Sequence, residues 1–417
     1  MTRDYPALPI SQPAKNLASA TTEANENSDR PRASRSAAPM RSFIWKVASR
    51  CNLDCDYCYV YKHADQSWRD QPIRASVEVA AQLGKRIREH ATLHGLTEVD
   101  VILHGGEPLS IGVPHLDALC DALEASAAGI GIRWRIQTNG ALLGDQEFEF
   151  CLRRSVTVGL SMDGPRAAND RHRLDFQGKS SFDAVEAALR RLSTPEGRRV
   201  WSGFLCVIDL ASDPLEVYRY FRSWQPRTIE FLLPLAHHDM QPPGKVKALG
   251  GTPYADWLLA IYREWMEERP QPISIRRFRD IIALLAGAHT SSEEWGLQPV
   301  DFAVIEANGE IQAVDTLKVC YPGANHLGLN IFTSSIDAMY TAPAVLERQN
   351  RWSTLAAVCQ TCPVVQVCGG GYFPHRYSRA RAFDNPSVYC QDLLKMIQEI
   401  HRDVSSRLAR RHIVAEA

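Results

Sequence analysis

The chain has 417 residues, 45% hydrophobic and 23% charged, with 47 Lys and Arg against 48 Asp and Glu. That length and composition predict a globular protein of two or three domains, and a net charge of −1 argues against a polyanion-coating surface, so no nucleic-acid partner is expected. No apolar run of about 18 residues exists to span a membrane, and the opening MTRDYPALPI has no apolar secretory core, so no membrane partner and a cytoplasmic location are expected.

Residues 1–39 are rich in Ala, Ser, Pro, Asn and Arg, with Tyr5 as their only aromatic, and predict a disordered leader. From residue 43 strands and helices alternate. Apolar runs predict strands over 43–48, 99–104, 133–137, 156–160, 203–208 and 228–233. Amphipathic stretches predict helices over 76–94, 115–125, 146–154, 182–192 and 215–224, with Pro214 at the first helical position of the last one. Six such alternations imply βαβ units and a parallel sheet. Six units are too few to close an eight-fold barrel, so the expected class is α/β with a partial (β/α)6 barrel, a doubly wound sheet being the alternative. Polar and glycine-rich segments follow nearly every strand, on the face where barrels carry their chemistry. Beyond about residue 236 the rhythm changes to helices near 254–268 and 277–288, then a hairpin of 302–307 and 310–315 around Asn308-Gly309, and a final helix from about 392.

Eleven cysteines, an odd number in a chain expected to stay reduced, point to metal or iron–sulfur ligation instead of a disulfide framework. Cys51, Cys55 and Cys58 sit in the loop after the first strand. Three thiolates fill three irons of a [4Fe–4S] cube and leave the fourth open; a zinc site completed by His63 fits the same residues. After the second strand come Gly105-Gly106-Glu107-Pro108. The glycines permit close backbone approach and Glu107 offers a carboxylate to an ammonium group, although a tight turn accounts for the same residues. Cys359, Cys362, Cys368 and Cys390 match the ligand count of one complete cluster, or of zinc. Cys120, Cys151 and Cys206 lie in apolar contexts expected of inert core thiols. Trp257 and Trp265 share a buried helix face, and His237-His238-Asp239 reads as a solvated loop.

Cys51-x3-Cys55-x-Tyr57-Cys58 followed by GGEP at 105–108 resembles the signature of the radical S-adenosylmethionine superfamily. The resemblance implies that Cys51, Cys55 and Cys58 hold a [4Fe–4S] cluster that binds S-adenosylmethionine. Tyr57 is then the motif's aromatic, and Gly105, Gly106, Glu107 and Pro108 contact the methionine amino group. Asn139 and Asp163 lie along the same rim, with Ser161 and Arg173 at the ribose and carboxylate. The spacing of Cys359, Cys362, Cys368 and Cys390 resembles the second auxiliary cluster of SPASM domains. Tyr372 stands where another cysteine is usual and Cys320 lacks its paired cysteine. One auxiliary [4Fe–4S] cluster is therefore expected, with Cys320 either an extra ligand or a plain buried thiol.

The implied organisation is a radical SAM barrel over 40–235, a helical bridge over 236–300 and a C-terminal α+β SPASM-like iron–sulfur domain over 301–417. The stretches 168–173, 254–257, 368–377 and 383–393 resemble the Fxs-type branch of peptide maturases. That likeness implies a carbon–carbon cyclophane cross-link between an aromatic ring and the Cβ of a nearby residue in a short precursor peptide. A 5′-deoxyadenosyl radical would form it with an external electron donor, and Asp315 is a candidate acceptor for the released proton. Oxidation of Ser or Cys to formylglycine, as by sulfatase maturases, and thioether formation are the alternatives within the superfamily, although sulfatase maturases usually show seven C-terminal cysteines. Outside catalysis the alternative is a zinc-stabilised binding module.

Overall fold

The fold is built outward from β1 (Ser42–Ala48) in a computed structural model that describes residues 38–245, 251–268 and 273–415. The leader expected over 1–39 lies outside the described residues up to position 37. Phe43, Trp45 and Val47 are fully buried, and the opposite face of β1 is largely covered as well, as expected of a parallel strand within a layered fold. α1 (Val77–Leu93) follows, capped by the Ser76 side chain, which accepts from the Val79 N–H at 3.3 Å. Its Val79, Leu83, Ile87 and Ala91 face the core at helical spacing.

The alternation then runs β2 (Glu98–Gly105), α2 (Val113–Ser126), β3 (Gly131–Thr138), α3 (Asp145–Arg153), β4 (Thr157–Ser161), α4 (Phe182–Leu192), β5 (Trp201–Val207), α5 (Pro214–Ser223) and β6 (Thr228–Leu232). Pro214 occupies the first turn of α5, and the Asp213 side chain caps it by accepting from the Glu216 N–H at 2.8 Å. α6 (Pro253–Glu267) buries Trp257 and Trp265, as their spacing predicts. A two-residue strand β7 (Ser274–Ile275) leads into α7 (Arg276–Leu285).

The strand order β1-β2-β3-β4-β5-β6-β7 is sequential and every neighbouring pair in it is parallel. A doubly wound sheet starts in its middle and reverses direction, so that alternative is excluded. The chain is a mixed α/β protein with an open parallel barrel. The sequence underestimated the sheet. β8 (Phe302–Ile305) pairs in parallel with β1, and β9 (Glu310–Gln312) and β10 (His326–Asn330) extend the same sheet antiparallel to ten strands. Asn308-Gly309 makes the expected turn, with Gly309 at φ +83°. The second hairpin arm ends at Gln312, short of the expected 315, so Asp315 opens a 3-10 turn (Asp315–Val319) and is not a strand residue. The last helix, α8 (Cys390–Ala415), starts at Cys390 itself. Among the described residues no helix is long and apolar enough to cross a membrane.

Candidate functional site

The C-terminal ends of β1–β6 open into a cavity of about 760 Å³. The loop after β1 brings Cys51, Cys55 and Cys58 to its wall, β2 ends in Gly105 and Gly106, β3 in Thr138 and Asn139, and β4 in Ser161 and Asp163, with Arg173 from the following loop. These expected residues therefore converge, although 122 positions separate Cys51 from Arg173.

The two motif loops are stitched together at their roots. The Gly106 N–H donates to the Ala48 carbonyl at 2.8 Å and the Glu107 N–H to the Arg50 carbonyl at 2.9 Å. A Cβ on Gly106 would stand 2.2 Å from the Arg50 carbonyl oxygen and 2.1 Å from the Tyr61 hydroxyl. Gly106→Ala should therefore push the cysteine loop outward, costing about 1–3 kcal/mol of stability. Thermal unfolding and cofactor turnover check this, and wild-type values for both would contradict it.

Glu107 plays a different part from the one expected. Its side chain is fully buried and absent from the cavity wall, as is Pro108. Oε1 accepts from the Thr138 hydroxyl at 2.7 Å and the Leu109 N–H at 3.0 Å, and Oε2 from the Asn139 N–H at 2.8 Å. Burial raises its carboxyl pKa while these donors oppose the rise. Its carboxylate ties β2 to the end of β3 and is not offered to a ligand ammonium group. Glu107→Gln replaces an acceptor by a donor against these N–H and O–H groups and should cost about 2–4 kcal/mol, read as a lower denaturation midpoint. A midpoint unchanged from wild type would contradict the tie.

Next to the thiols lies a hydrogen-bonded chain of Arg173, Tyr57 and Asp163. Arg173 donates from Nη1 to the Tyr57 hydroxyl at 2.7 Å, Tyr57 donates to Asp163 Oδ2 at 2.5 Å, and Asp163 Oδ1 accepts from the Val207 N–H at 3.0 Å. Arg173 Nε is buried and has no protein partner. Asn139 Nδ2 reaches Asn52 Oδ1 at 2.8 Å and Cys51 Sγ at 3.6 Å, and the Ser161 hydroxyl accepts from Gln137 at 2.8 Å.

The donor set fits an iron–sulfur cube better than zinc. Tetrahedral zinc with bonds near 2.3 Å holds its sulfurs roughly 3.8 Å apart. Among the described residues, the group of three or more His, Cys, Asp or Glu ligand atoms lying within 4.8 Å of one another is His90, His94 and Asp337, and the cavity cysteines do not form one. His63 lines the cavity without closing such a group. Burial pushes the thiol of Cys51 up to about 12 and raises those of Cys55 and Cys58, so a metal centre is what would keep them as thiolates. Arg173 lines the same cavity, and its guanidinium charge suits a ligand carboxylate.

Asp315 does not reach the wall. It lies behind Tyr59, whose hydroxyl donates to its Oδ2 at 2.6 Å, and 3.0 Å from the Lys46 ammonium, which is also 3.6 Å from Glu306. Glu306 in turn accepts from Lys318 at 2.8 Å. Burial opposes ionisation of Asp315, but Lys46, His104 and the Tyr59 hydrogen bond together outweigh it and hold the carboxyl well below the usual range. Sequence reasoning missed this network. Its signal was Lys46, a lone charge in the otherwise apolar run of β1.

Cys359, Cys362, Cys368 and Cys390 lie apart from the cavity wall but within electrostatic reach of one another, beside Arg376. They gather through a short turn ending at Cys368, three positive-φ glycines at 369–371, and the start of α8. Cys320 does not join them. It packs with Phe373 and Tyr377, and burial alone pushes its thiol up to about 12. It is a buried core thiol in this structure, as are Cys120, Cys151 and Cys206. Tyr372 lines the cavity and hydrogen-bonds Thr316 at 2.5 Å, placing the end of the glycine run against the site. His237 bonds the Val319 carbonyl at 3.2 Å, so it is a tertiary contact and not a solvated loop residue.

An open parallel barrel with three cysteines in the loop after its first strand defines a radical SAM enzyme, and residues 45–208 match the radical SAM superfamily. A [4Fe–4S] cluster and S-adenosylmethionine are the cofactors of that class. Over its length the chain is similar to maturases. It is 27% identical to the serine-type anaerobic sulfatase-maturating enzyme of Bacteroides thetaiotaomicron, over 82% of this chain and 84% of that protein. It is 26% identical to the cysteine-type enzyme of Clostridium perfringens strain 13, over 85% and 94%. The solved structure of native anSMEcpe with bound AdoMet superposes with a TM-score of 0.76 at 22% identity, covering 88% of this chain and 99% of that one. The same protein solved with AdoMet and the Cp18Cys peptide gives 0.73 at 22% identity, over 89% and 99%.

These similarities overturn the cyclophane expectation. Relatives that align along more than four-fifths of the chain are named for sulfatase maturation, so the alternative reading fits better. The physical reason is that the cysteine and GGEP motifs place cofactors shared across the superfamily and do not encode the fate of the peptide.

Proposed function

We propose that this chain is a peptide-modifying radical SAM enzyme that oxidises a Ser or Cys side chain to formylglycine. Whole-length similarity to sulfatase-maturating enzymes carries this reading. The cavity supports it, because it joins the cysteine loop to residues of the C-terminal half, Thr316 and Tyr372.

In this reading residues 40–235 form the cofactor-cleaving barrel, 236–300 a bridge and 301–417 an auxiliary-cluster domain. Cys51, Cys55 and Cys58 hold the [4Fe–4S] cluster, which with bound S-adenosylmethionine supplies a radical that removes a hydrogen atom. The Arg173 guanidinium, held through Tyr57 by Asp163, would pair with the carboxylate of S-adenosylmethionine. The backbone of Gly105 and Gly106 receives the amino group, and Ser161 and Asn139 line the nucleoside. Leu205, Leu232, Leu235 and Met240 form an apolar wall that excludes water.

The proton released on oxidation passes to the Tyr59 hydroxyl oxygen as Tyr59 gives its own proton to Asp315 Oδ2. Lys46 holds that carboxyl ionised between turnovers, so Asp315 acts as a relay that takes the proton from Tyr59 and hands it on to water. Cys359, Cys362, Cys368 and Cys390 hold one auxiliary [4Fe–4S] cluster, which when bound supplies an electron acceptor. A one-electron reductant and a peptide are the partners. The test is anaerobic incubation with a Ser- or Cys-containing peptide, S-adenosylmethionine and reductant, with the peptide aldehyde trapped by a hydrazine. A cross-linked or unmodified peptide alongside 5′-deoxyadenosine would contradict it.

A further inference from the structure

Outside the cavity, α1 ends in two histidines one turn apart, His90 in its last turn and His94 at its C-cap. His90 and His94 have rings 4.4 Å apart, centroid to centroid. Both face Asp337, in the 3-10 turn Ile336–Thr341 of the C-terminal half. His94 Nε2 lies 2.6 Å from Asp337 Oδ1 and His90 Nδ1 lies 3.0 Å from Oδ2. None of the three lines the cavity.

The group has two ways to place its protons without a metal. His90 Nε2 is 3.1 Å from the Met40 carbonyl oxygen, which can only accept. A neutral His90 therefore carries its proton on Nε2 and turns the Nδ1 lone pair towards a carboxylate, two acceptors face to face. The other arrangement without a metal is a His90 imidazolium that donates to both Asp337 and the Met40 carbonyl. A divalent cation satisfies every atom. It takes both lone pairs and the carboxylate while His90 keeps its Nε2–H on Met40, the outer hydrogen bond that metal-bound histidines characteristically make.

We propose that His90 Nδ1, His94 Nε2 and Asp337 form a binding site for a divalent first-row metal, zinc by preference, with water completing the coordination. Imidazole and carboxylate donors suit zinc, and the three ligand atoms lie within 4.8 Å of one another. The observed separations of 2.6 and 3.0 Å are hydrogen-bond distances, several tenths of an ångström below the roughly 3.3 Å at which tetrahedral zinc with bonds near 2.0 Å holds such ligands. A small outward shift of the side chains admits the ion.

The site fastens three parts of the fold. His90 holds the Met40 carbonyl, and the Tyr340 hydroxyl accepts from the Met40 N–H at 3.1 Å and donates to the Ala38 carbonyl at 2.8 Å. The metal thus pins the entry into β1 to α1 and to the turn at 336–341, clamping the barrel to the C-terminal half.

The test uses the full chain with its iron–sulfur clusters assembled, exposed to zinc and then gel-filtered. Wild type should retain one zinc per chain beyond its iron. Asp337→Asn and His94→Gln, which preserve side-chain size, should bind zinc at least about tenfold more weakly, with iron content and 5′-deoxyadenosine formation unchanged. The zinc X-ray absorption spectrum of wild type should show two imidazole nitrogens and no sulfur. Wild type without zinc, variants that bind it as tightly as wild type, or a sulfur shell on the zinc would each overturn the site.

Discussion

Cys58→Ala should reduce 5′-deoxyadenosine formation at least about 10³-fold, a loss of roughly 4 kcal/mol of transition-state stabilisation, with little change in thermal stability. The backbone of the loop is held without the thiol. The Cys58 N–H donates to the Cys55 carbonyl at 3.2 Å, and the Cys58 carbonyl accepts from the N–H groups of Tyr61 at 3.2 Å and Lys62 at 2.9 Å. Alanine keeps that turn and deletes only the sulfur. Iron content should fall with activity, because two remaining thiols leave a cube short of a ligand. Deoxyadenosine formation at the wild-type rate would remove Cys58 from the cofactor site. Cys368→Ala, away from the cavity, should impair peptide oxidation more than cofactor cleavage, and equal loss of both would make it a structural thiol.

Asp315→Asn should separate the two halves of the reaction. The proposed proton path runs through Tyr59 to Asp315, and a positioned proton acceptor is worth about 10²–10⁴ in rate. Peptide aldehyde should therefore fall by about 10²-fold or more while deoxyadenosine still forms. The variant also leaves buried Lys46 with Glu306 as its remaining carboxylate neighbour, at 3.6 Å, so a stability loss of about 3 kcal/mol is expected. Deoxyadenosine formation controls for that loss. If it declines in step with the aldehyde, Asp315 is a structural counter-ion to Lys46 and the proton leaves elsewhere.

The parallel barrel was legible because its strands are apolar runs separated by amphipathic helices, and the cysteine and GGEP loops fall where those runs end. The pairing of β8 with β1 was not legible. It depends on a contact between residues more than 250 positions apart, and nothing local in 302–305 marks a parallel partner. The role of Glu107 was misread for a related reason. A carboxylate in a glycine loop looks like a ligand contact, yet its partners, Thr138 and the Asn139 N–H, come from the end of another strand. Lys46 offered a usable clue, since a lysine inside a buried strand demands paired carboxylates. Those carboxylates, Glu306 and Asp315, lie in the distant hairpin region. Cys320 shows the limit of cysteine spacing as evidence, because its surroundings are Phe373 and Tyr377 and not other thiols.

The most direct measurement supplies a peptide deuterated at the Cβ of its Ser or Cys and follows the label under anaerobic turnover. The account predicts deuterium in 5′-deoxyadenosine and an aldehyde at the labelled residue of the same peptide. Unlabelled 5′-deoxyadenosine with the Cβ–deuterium bonds intact would contradict it.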